Sequence, residues 1–114
     1  YVVSVEQNQH HFNFICQAQE KLGATELFPV RADVFKYLRS LKQQFDLIFA
    51  DPPYDLAGID TIPSLVFERN LLKPDGVFVF EHSRKYNFAQ LPQFLEERLY
   101  GNVHFTFFTQ TVSD

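Results

Sequence analysis

Phe45-Asp46-Leu47-Ile48-Phe49-Ala50-Asp51-Pro52-Pro53-Tyr54, near the middle of the 114-residue chain, joins a short apolar run to a polar, proline-rich loop. The apolar run is rich in strand-forming residues and predicts a buried strand over Asp46–Ala50. That strand must end at the two prolines, because proline has no N–H to donate to a sheet ladder. The loop carries one carboxylate and one aromatic ring. In open α/β sheets, ligands bind at this carboxyl edge of the strands, so the loop is a candidate for ligand binding. The alternative is a simple proline-rich turn in which Asp51 is only a cap.

The composition indicates a globular domain in a reducing compartment. Apolar residues make up 46% of the chain and 14 residues are phenylalanine, which excludes a disordered chain. The net charge of −4 gives no overall attraction to nucleic acid, so such binding would need a local basic rim. Cys16 is the only cysteine, which excludes an internal disulfide and a cysteine-rich zinc site. With no signal peptide and no apolar run of ~20 residues, we expect a cytoplasmic protein without a membrane partner.

Strands and helices are predicted to alternate along the chain. Strands are expected at Tyr1–Val5, Leu27–Arg31, Asp46–Ala50 and Val77–His82, with helices at Gln9–Leu22, from Asp33 through Leu41, and at Ile59–Asn70 with Arg69 facing the sheet. A turn is expected over Leu71–Gly76, and a closing hairpin from Phe94–Leu99, Tyr100-Gly101-Asn102 and Val103–Thr109. This order predicts a doubly wound α/β fold, mostly parallel, with an antiparallel hairpin at one edge.

Several motifs occur in an order that is typical of one enzyme family. They are Val3-Ser4-Val5-Glu6-Gln7-Asn8, Asp33, Asp51-Pro52-Pro53-Tyr54, Glu81-His82-Ser83-Arg84 and Tyr100-Gly101-Asn102. With these motifs the chain resembles the RsmD-type family of S-adenosylmethionine-dependent methyltransferases, which methylate guanine N2 in small-subunit ribosomal RNA. The resemblance implies a Rossmann-like methyltransferase fold and S-adenosylmethionine as the cofactor.

The resemblance also implies that residues 1–114 form one partial catalytic domain, from the second strand of that fold onward. The four glycines, Gly23, Gly58, Gly76 and Gly101, are too far apart to form the glycine-rich loop that follows the first strand. The first strand would lie between Val2–Val5 and Asp46–Ala50. We therefore expect these two strands either to pair directly or to dimerise or swap elements through their exposed edges. We expect this chain alone to bind S-adenosylmethionine weakly or not at all, and to be inactive.

The family match assigns Glu6, Asp33 and Val34 to the cofactor. Glu6 would accept hydrogen bonds from both ribose hydroxyls, Asp33 would accept one from the adenine amino group, and the Val34 N–H would donate to the adenine ring. From the residues alone, Glu6 could equally be a solvated loop acid and Asp33 an N-cap. Asp51 is assigned to both the cofactor and the catalytic set.

The catalytic set implied by the resemblance is Asp51, Pro52, Pro53 and Tyr54. The Asp51 carboxylate and the Pro52 carbonyl would accept hydrogen bonds from an exocyclic amine and aim its lone pair at the methyl group. The Pro52-Pro53 pair would hold both acceptors in place, and Tyr54 would stack on the base. The methyl donor is already a cation, so this chemistry requires no metal.

Tyr54, His82, Arg84 and Lys85 are the expected substrate-binding residues. His82 is given a supporting or base-binding role without proton transfer, and Arg84 and Lys85 could contact phosphates. The expected partner is ribosomal RNA or a small-subunit assembly particle. Two alternatives remain: adenine-N6 methylation of DNA or RNA, and a catalytically inactive fragment that acts only in association.

Overall fold

The structure is a computed structural model that describes residues 2–5, 9–23, 27–30, 33–53 and 56–110. It divides into two compact units, Tyr1–Ser40 and Leu41–Asp114, and each is described by itself. No helix in the described part of the chain is both long enough and apolar enough to cross a bilayer.

The first unit alternates strands and helices as predicted: β1 (Val2–Val5), α1 (Gln9–Leu22), β2 (Leu27–Val30) and α2 (Val34–Ser40). β1 and β2 form a parallel two-stranded sheet, in register from Val2 opposite Leu27 to Val5 opposite Val30. α1 ends at Gly23, whose φ of 64° is the left-handed conformation that stops a helix and favours glycine. The predicted bounds of α1 are confirmed.

α2 is one residue shorter at its end than predicted, whereas the bounds of α1 match. One side of α1 is half-buried and Phe14 and Leu22 are exposed; the half-buried residues include Phe12, Ile15, Cys16 and Gln19. α2 ends at Ser40, so Leu41 lies outside the helix to which its spacing assigned it. Leu38 is the buried residue of α2.

The second unit holds a mixed four-stranded sheet. Its elements are β3 (Phe45–Ala50), a short 3-10 turn (Ile59–Thr61), α3 (Ile62–Glu68), β4 (Leu72–His82), β5 (Phe94–Tyr100) and β6 (Val103–Thr109). The strand order is β3-β4-β6-β5. β3 pairs with β4 in parallel, and β4–β6 and β6–β5 are antiparallel. The predicted parallel pairing with an antiparallel closing hairpin is confirmed.

The closing hairpin turns at Gly101-Asn102, because Tyr100 pairs with Val103. Gly101 has a φ of 63°, and glycine at the first central position is typical of a tight hairpin turn whose twist matches the flanking strands.

β4 is the central strand, and it is longer than predicted. Phe45 pairs with Leu72, but Leu47 pairs with Val77. The register of β4 against β3 therefore shifts between these two pairs, because β4 has more residues between them than β3. Three exposed residues, Lys73, Pro74 and Asp75, form a bulge that accommodates the shift. The turn predicted over Leu71–Gly76 is therefore wrong: Leu72–Gly76 belong to a continuous strand with an irregularity at the bulge, and Leu71 precedes it.

One face of this sheet carries an aromatic core. Phe78, Phe80 and Phe108 are completely buried, and the rings of Phe78 and Phe108 stack with their centroids 5.2 Å apart. α3 packs on this face through Phe67, whose ring centroid lies 5.9 Å from that of Phe108. The 3-10 turn and α3 add the buried side chains of Ile59, Ile62 and Val66. Arg69 was expected to face the sheet, but it is exposed and donates to the Leu41 carbonyl instead, because α3 ends at Glu68.

β3 is not the buried strand that its apolar sequence predicted. Leu47 is 65% exposed and Phe49 is 58% exposed. The two side chains point to the same face because they are two residues apart, and β3 is an outer strand with β4 as its partner in this sheet. Direct pairing of β1 with β3, and dimerisation or exchange of elements through these edges, stay predictions.

The close approach of Gly76 to the neighbouring strand gives a test of the bulge. A Cβ at this position would lie 2.7 Å from Leu72 Cδ1 and 2.9 Å from the Asp46 carbonyl oxygen. Because the carbonyl belongs to the backbone of β3 and cannot move aside as a flexible side chain can, we expect Gly76→Ala to lower the free energy of unfolding by about 1–3 kcal/mol. Urea denaturation followed by circular dichroism measures this loss. Asp75→Ala, one residue away and exposed, is the control; equal stability of the two variants would contradict the packing described.

Candidate active site

Three loops of the second unit meet at the carboxyl edge of β3 and β4. Ala50 pairs with Phe80, so Asp51 leaves β3 where β4 continues to His82. β6 runs antiparallel to β4, and His82 pairs with His104. The Gly101-Asn102 turn therefore lies at the same edge as the Pro-Pro loop and the residues that follow His82. The structure brings together three of the motifs that the sequence singled out.

The Asp51-Pro52-Pro53 loop is held by a backbone hydrogen bond. The Leu56 N–H donates to the Pro53 carbonyl at 3.1 Å, and this bond leaves the Pro52 carbonyl to other donors. Asp51 and Pro53 are exposed, whereas Pro52 is half-buried. The loop thus offers two acceptors on adjacent residues, the Asp51 carboxylate and the Pro52 carbonyl. Tyr54, the predicted stacking residue, lies outside the described residues.

Asp33 is the N-cap of α2, as its position predicted. Its Oδ1 accepts hydrogen bonds from the N–H groups of Phe35 at 2.9 Å and Lys36 at 3.2 Å, and its carbonyl accepts one from Tyr37 at 2.9 Å. Oδ2 is not needed for the cap. The N–H groups of Phe35, Lys36 and Tyr37 thus donate to Asp33. The Val34 N–H, at the first position of the helix, takes no part in these cap bonds. Glu6 lies outside the described residues.

His82 is completely buried, and both of its ring nitrogens bond within the protein. Nδ1 lies 2.8 Å from the Ser83 carbonyl oxygen, and Nε2 lies 2.6 Å from Thr106 Oγ1. A carbonyl oxygen can only accept, so the hydrogen bond requires a proton on Nδ1. In the neutral ring Nε2 then accepts from the Thr106 hydroxyl.

Burial lowers the pKa of His82 below its usual value of 6.5, against an opposing effect of the hydrogen bond to Ser83. The Glu97 carboxylate also raises this pKa, and His104 lowers it. The net direction favours the neutral imidazole. Two roles were expected for His82, a supporting one and binding of the substrate base. This geometry favours the supporting role, because the ring is buried and neither ring nitrogen is left to bond to a nucleobase.

Thr106, His104 and Glu97 are the members of this cluster that the motifs did not reveal. His104 Nδ1 bonds to Glu97 Oε1 across the hairpin, and the His104 ring centroid lies 5.8 Å from that of His82. The available signal was the alternation of His104, Thr106 and Phe108, which places three side chains on one face of β6. Only the register between β4 and β6 shows that this is the face of His82.

Arg84 and Lys85 form an exposed basic pair in the turn after β4. The Lys85 N–H donates to Ser83 Oγ at 3.3 Å, and Lys85 Nζ lies 5.6 Å from the centroid of the Tyr86 ring. Because this turn follows the carboxyl end of β4, the pair lies at the same edge of the sheet as Asp51.

Among the described residues, no group of three or more His, Cys, Asp or Glu side chains is arranged to hold a metal ion.

Comparison of the sequence with curated proteins and family models identifies the family. The model of the family described as conserved hypothetical protein 95 matches residues 1–109. Ribosomal RNA small subunit methyltransferase D of Buchnera aphidicola subsp. Baizongia pistaciae (strain Bp) is 27% identical over 67 residues, which are 59% of this chain and 34% of that protein. The match therefore spans about a third of the length of this relative.

Solved structures show the same fold. A conserved hypothetical protein of Streptococcus pyogenes superposes with a TM-score of 0.83 and 22% identity, covering 95% of this chain and 71% of the other. A protein of Haemophilus influenzae described as a methylase gives a TM-score of 0.82 and 20% identity, covering 97% and 73%. The methyltransferase PaMTH1 of Podospora anserina, solved with SAH bound, gives 0.62 and 23%, covering 68% and 33%.

These superpositions identify the fold as that of the S-adenosylmethionine-dependent methyltransferases, as predicted. The match over residues 1–109 includes every motif quoted from the sequence, and the resemblance to the RsmD-type family is confirmed. This chain belongs to the family of conserved hypothetical protein 95.

Proposed function

We propose that this chain carries the catalytic centre of an S-adenosylmethionine-dependent methyltransferase that methylates an exocyclic base amine, guanine N2 of small-subunit ribosomal RNA. The observation that carries the proposal is the Asp51-Pro52-Pro53 loop at the carboxyl end of β3, in a chain of this family. A methyltransferase acting on small-subunit ribosomal RNA among the relatives supports the choice of RNA as substrate. The cell compartment that fits this substrate is the cytoplasm.

The reaction needs the amine to act as a nucleophile, although its lone pair is delocalised into the base. The Asp51 carboxylate and the Pro52 carbonyl each accept a hydrogen bond from the amine, which localises the lone pair on nitrogen. The bond from Leu56 to the Pro53 carbonyl and the fixed φ of each proline hold these acceptors in place. The acceptors therefore need little reorganisation as positive charge develops on the amine.

The nucleoside end of the cofactor matches the groups at the start of α2. Adenine presents an amino donor beside a ring-nitrogen acceptor. Asp33 Oδ2 and the Val34 N–H offer the complementary acceptor and donor on consecutive residues, while Oδ1 caps the helix. We assign Glu6 to the ribose hydroxyls and Asp51 to both cofactor and amine. When bound, S-adenosylmethionine supplies an activated methyl group on a sulfonium.

Arg84 and Lys85 support an RNA substrate, since their side chains are exposed beside the catalytic edge while the chain as a whole carries a net charge of −4. Phosphate contacts by such side chains position a nucleic acid without reading its sequence. The proposed partner is thus ribosomal RNA, free or in a small-subunit assembly particle. Two other outcomes would point to the alternatives. Transfer of a labelled methyl group to adenine would indicate methylation of adenine N6. No methyl transfer, together with no rise in melting temperature on adding cofactor, would indicate a chain that acts only by association.

Removal of the proposed acceptor tests the chemistry directly. In the full-length protein, we expect Asp51→Ala to lower the rate of methyl transfer to unmodified small-subunit ribosomal RNA by at least about a hundredfold, because one of two acceptors of the amine is lost. S-adenosylmethionine affinity, measured by calorimetry, should stay within a few-fold, because the proposed contacts of Glu6, Asp33 and Val34 to the nucleoside remain and Asp51 is not placed at the ribose. Asp60→Ala, an exposed acid on the 3-10 turn, is the control. Near-normal turnover of the Asp51 variant would refute the mechanism.

The stacking role of Tyr54 makes a different prediction. Base stacking uses the ring and contributes roughly 1–3 kcal/mol, so we expect Tyr54→Phe to be mild and Tyr54→Ala to be severe. Single-turnover rates with saturating cofactor separate the two variants. If both variants lost activity equally, the hydroxyl would be the essential group and the stacking assignment would be wrong.

A further inference from the structure

His82 anchors both ends of the loop that follows β4. At the start of the loop, its Nδ1–H donates to the Ser83 carbonyl at 2.8 Å. At the end of the loop, Phe88 is 4% exposed, and its ring packs edge-on against the imidazole, with centroids 4.9 Å apart at an angle of 85°. The Ser83 carbonyl also accepts from the Tyr86 N–H at 3.3 Å. One buried side chain thus contacts residues 83 and 88 together.

Thr106 fixes His82 in turn. Its hydroxyl lies 2.6 Å from Nε2, and both side chains are completely buried in the described structure. The Ser83 carbonyl requires the proton on Nδ1, so the Thr106 hydroxyl donates to Nε2. The two bonds together hold the ring in one tautomer and one orientation. The contact joins the central strand β4 to β6. A mobile side chain at position 82 would release both ends of the loop.

The anchored loop presents two cations and an aromatic ring. Arg84 and Lys85 are exposed, and Lys85 Nζ lies 5.6 Å from the Tyr86 centroid. The Tyr86 ring stacks on that of Phe88, with centroids 6.3 Å apart and an angle of 18°. The ring packing therefore continues from His82 through Phe88 and Tyr86 to Lys85. A cationic side chain beside a rigid aromatic ring is the combination that binds single-stranded nucleic acid, through phosphate contact and base stacking.

We propose that His82 and Thr106 are positioning residues that hold the loop Ser83–Phe88, so that Arg84, Lys85 and Tyr86 form a contact surface for single-stranded RNA beside the methyl-transfer site. This inference rests on the proposed function for the identity of the nucleic acid, and it adds a second point of contact, distinct from the Asp51 loop. The loop acts on substrate binding and leaves cofactor binding unchanged.

Thr106 offers a matched pair of variants. Thr106→Val keeps the shape but removes the hydroxyl that donates to His82, whereas Thr106→Ser keeps the hydroxyl. Binding of a fluorescein-labelled single-stranded RNA to the full-length protein is measured by anisotropy, well below the melting temperature of each variant. We expect Thr106→Val to weaken RNA binding roughly three- to tenfold, because an unfixed loop must be ordered on binding. Thr106→Ser should stay within about twofold, and S-adenosylmethionine affinity should not change in either variant.

A spectroscopic readout separates positioning from general stability. The ¹⁵N chemical shifts of the His82 ring should show a single neutral tautomer with the proton on Nδ1 in the wild-type protein and in Thr106→Ser. In Thr106→Val the Nε2 signal should move. If Thr106→Val changed the melting temperature alone, with the same RNA affinity and the same ring signals as wild type, the pair would be structural and the proposal would be overturned.

The contact surface is tested by its salt dependence. Arg84→Ala and Lys85→Ala should each reduce the slope of log affinity against log salt by about 0.7, the value for one phosphate contact to a single strand. Tyr86→Ala should weaken binding without changing the slope. Lys73→Ala is the control, since Lys73 is exposed in the bulge at the other end of β4. Unchanged slopes for Arg84→Ala and Lys85→Ala would refute the surface.

The two hypotheses fail in different ways. If the wild-type protein bound RNA with these slopes but transferred no methyl group to it, the proposed reaction would be wrong and the contact surface would stand. If it methylated RNA while the loop variants bound normally, the contact surface would be wrong and the reaction would stand. Tighter binding of duplex DNA than of single-stranded RNA would overturn the assignment of the surface to RNA.

Discussion

The parallel pairing of β3 with β4 is the constraint on which the site depends. Because Ala50 lies opposite Phe80, the residues that follow in both strands emerge at one edge of the sheet. Asp51 therefore leaves β3 beside the end of β4, where His82 begins a second loop. The pairing is stabilised from one face by the stacked rings of Phe78 and Phe108, which are among the most deeply buried side chains described. The geometry of the candidate site and the packing of the core thus depend on the same pair of strands.

The polar groups inside this core are fully bonded. His82 and Thr106 are completely buried among aromatic rings, and in the described part of the chain no buried side-chain nitrogen or oxygen lacks a hydrogen-bond partner. An unbonded polar group there would be costly, whereas a bonded pair fixes one arrangement of the two strands. The loop after β4 therefore starts from a rigid position, although it is exposed to solvent at Arg84 and Lys85.

Local chemistry made the elements of the fold predictable. Two prolines end β3 at Ala50, glycine ends α1 and turns the hairpin, and Asp33 caps α2; each of these depends on neighbours in sequence. The exposure of Leu47 and Phe49 was not predictable in this way, because an apolar run does not reveal which of its faces will be covered. The partner of His82 lies 24 residues away, so it follows from strand register alone. The bulge in β4 resembled a turn because Pro74, Asp75 and the adjacent Gly76 are residue types that are common in turns.

The bulge of Lys73, Pro74 and Asp75 also has a practical consequence. Its three exposed residues lie at the amino end of β4, whereas the candidate site lies at the carboxyl end of the same strand. Chain segments that project to solvent and take no part in a ladder tolerate inserted residues and attached groups best. A cysteine placed at Asp75 could therefore carry a fluorophore for measuring the proposed binding of RNA, with the dye separated from the candidate site by the length of the central strand.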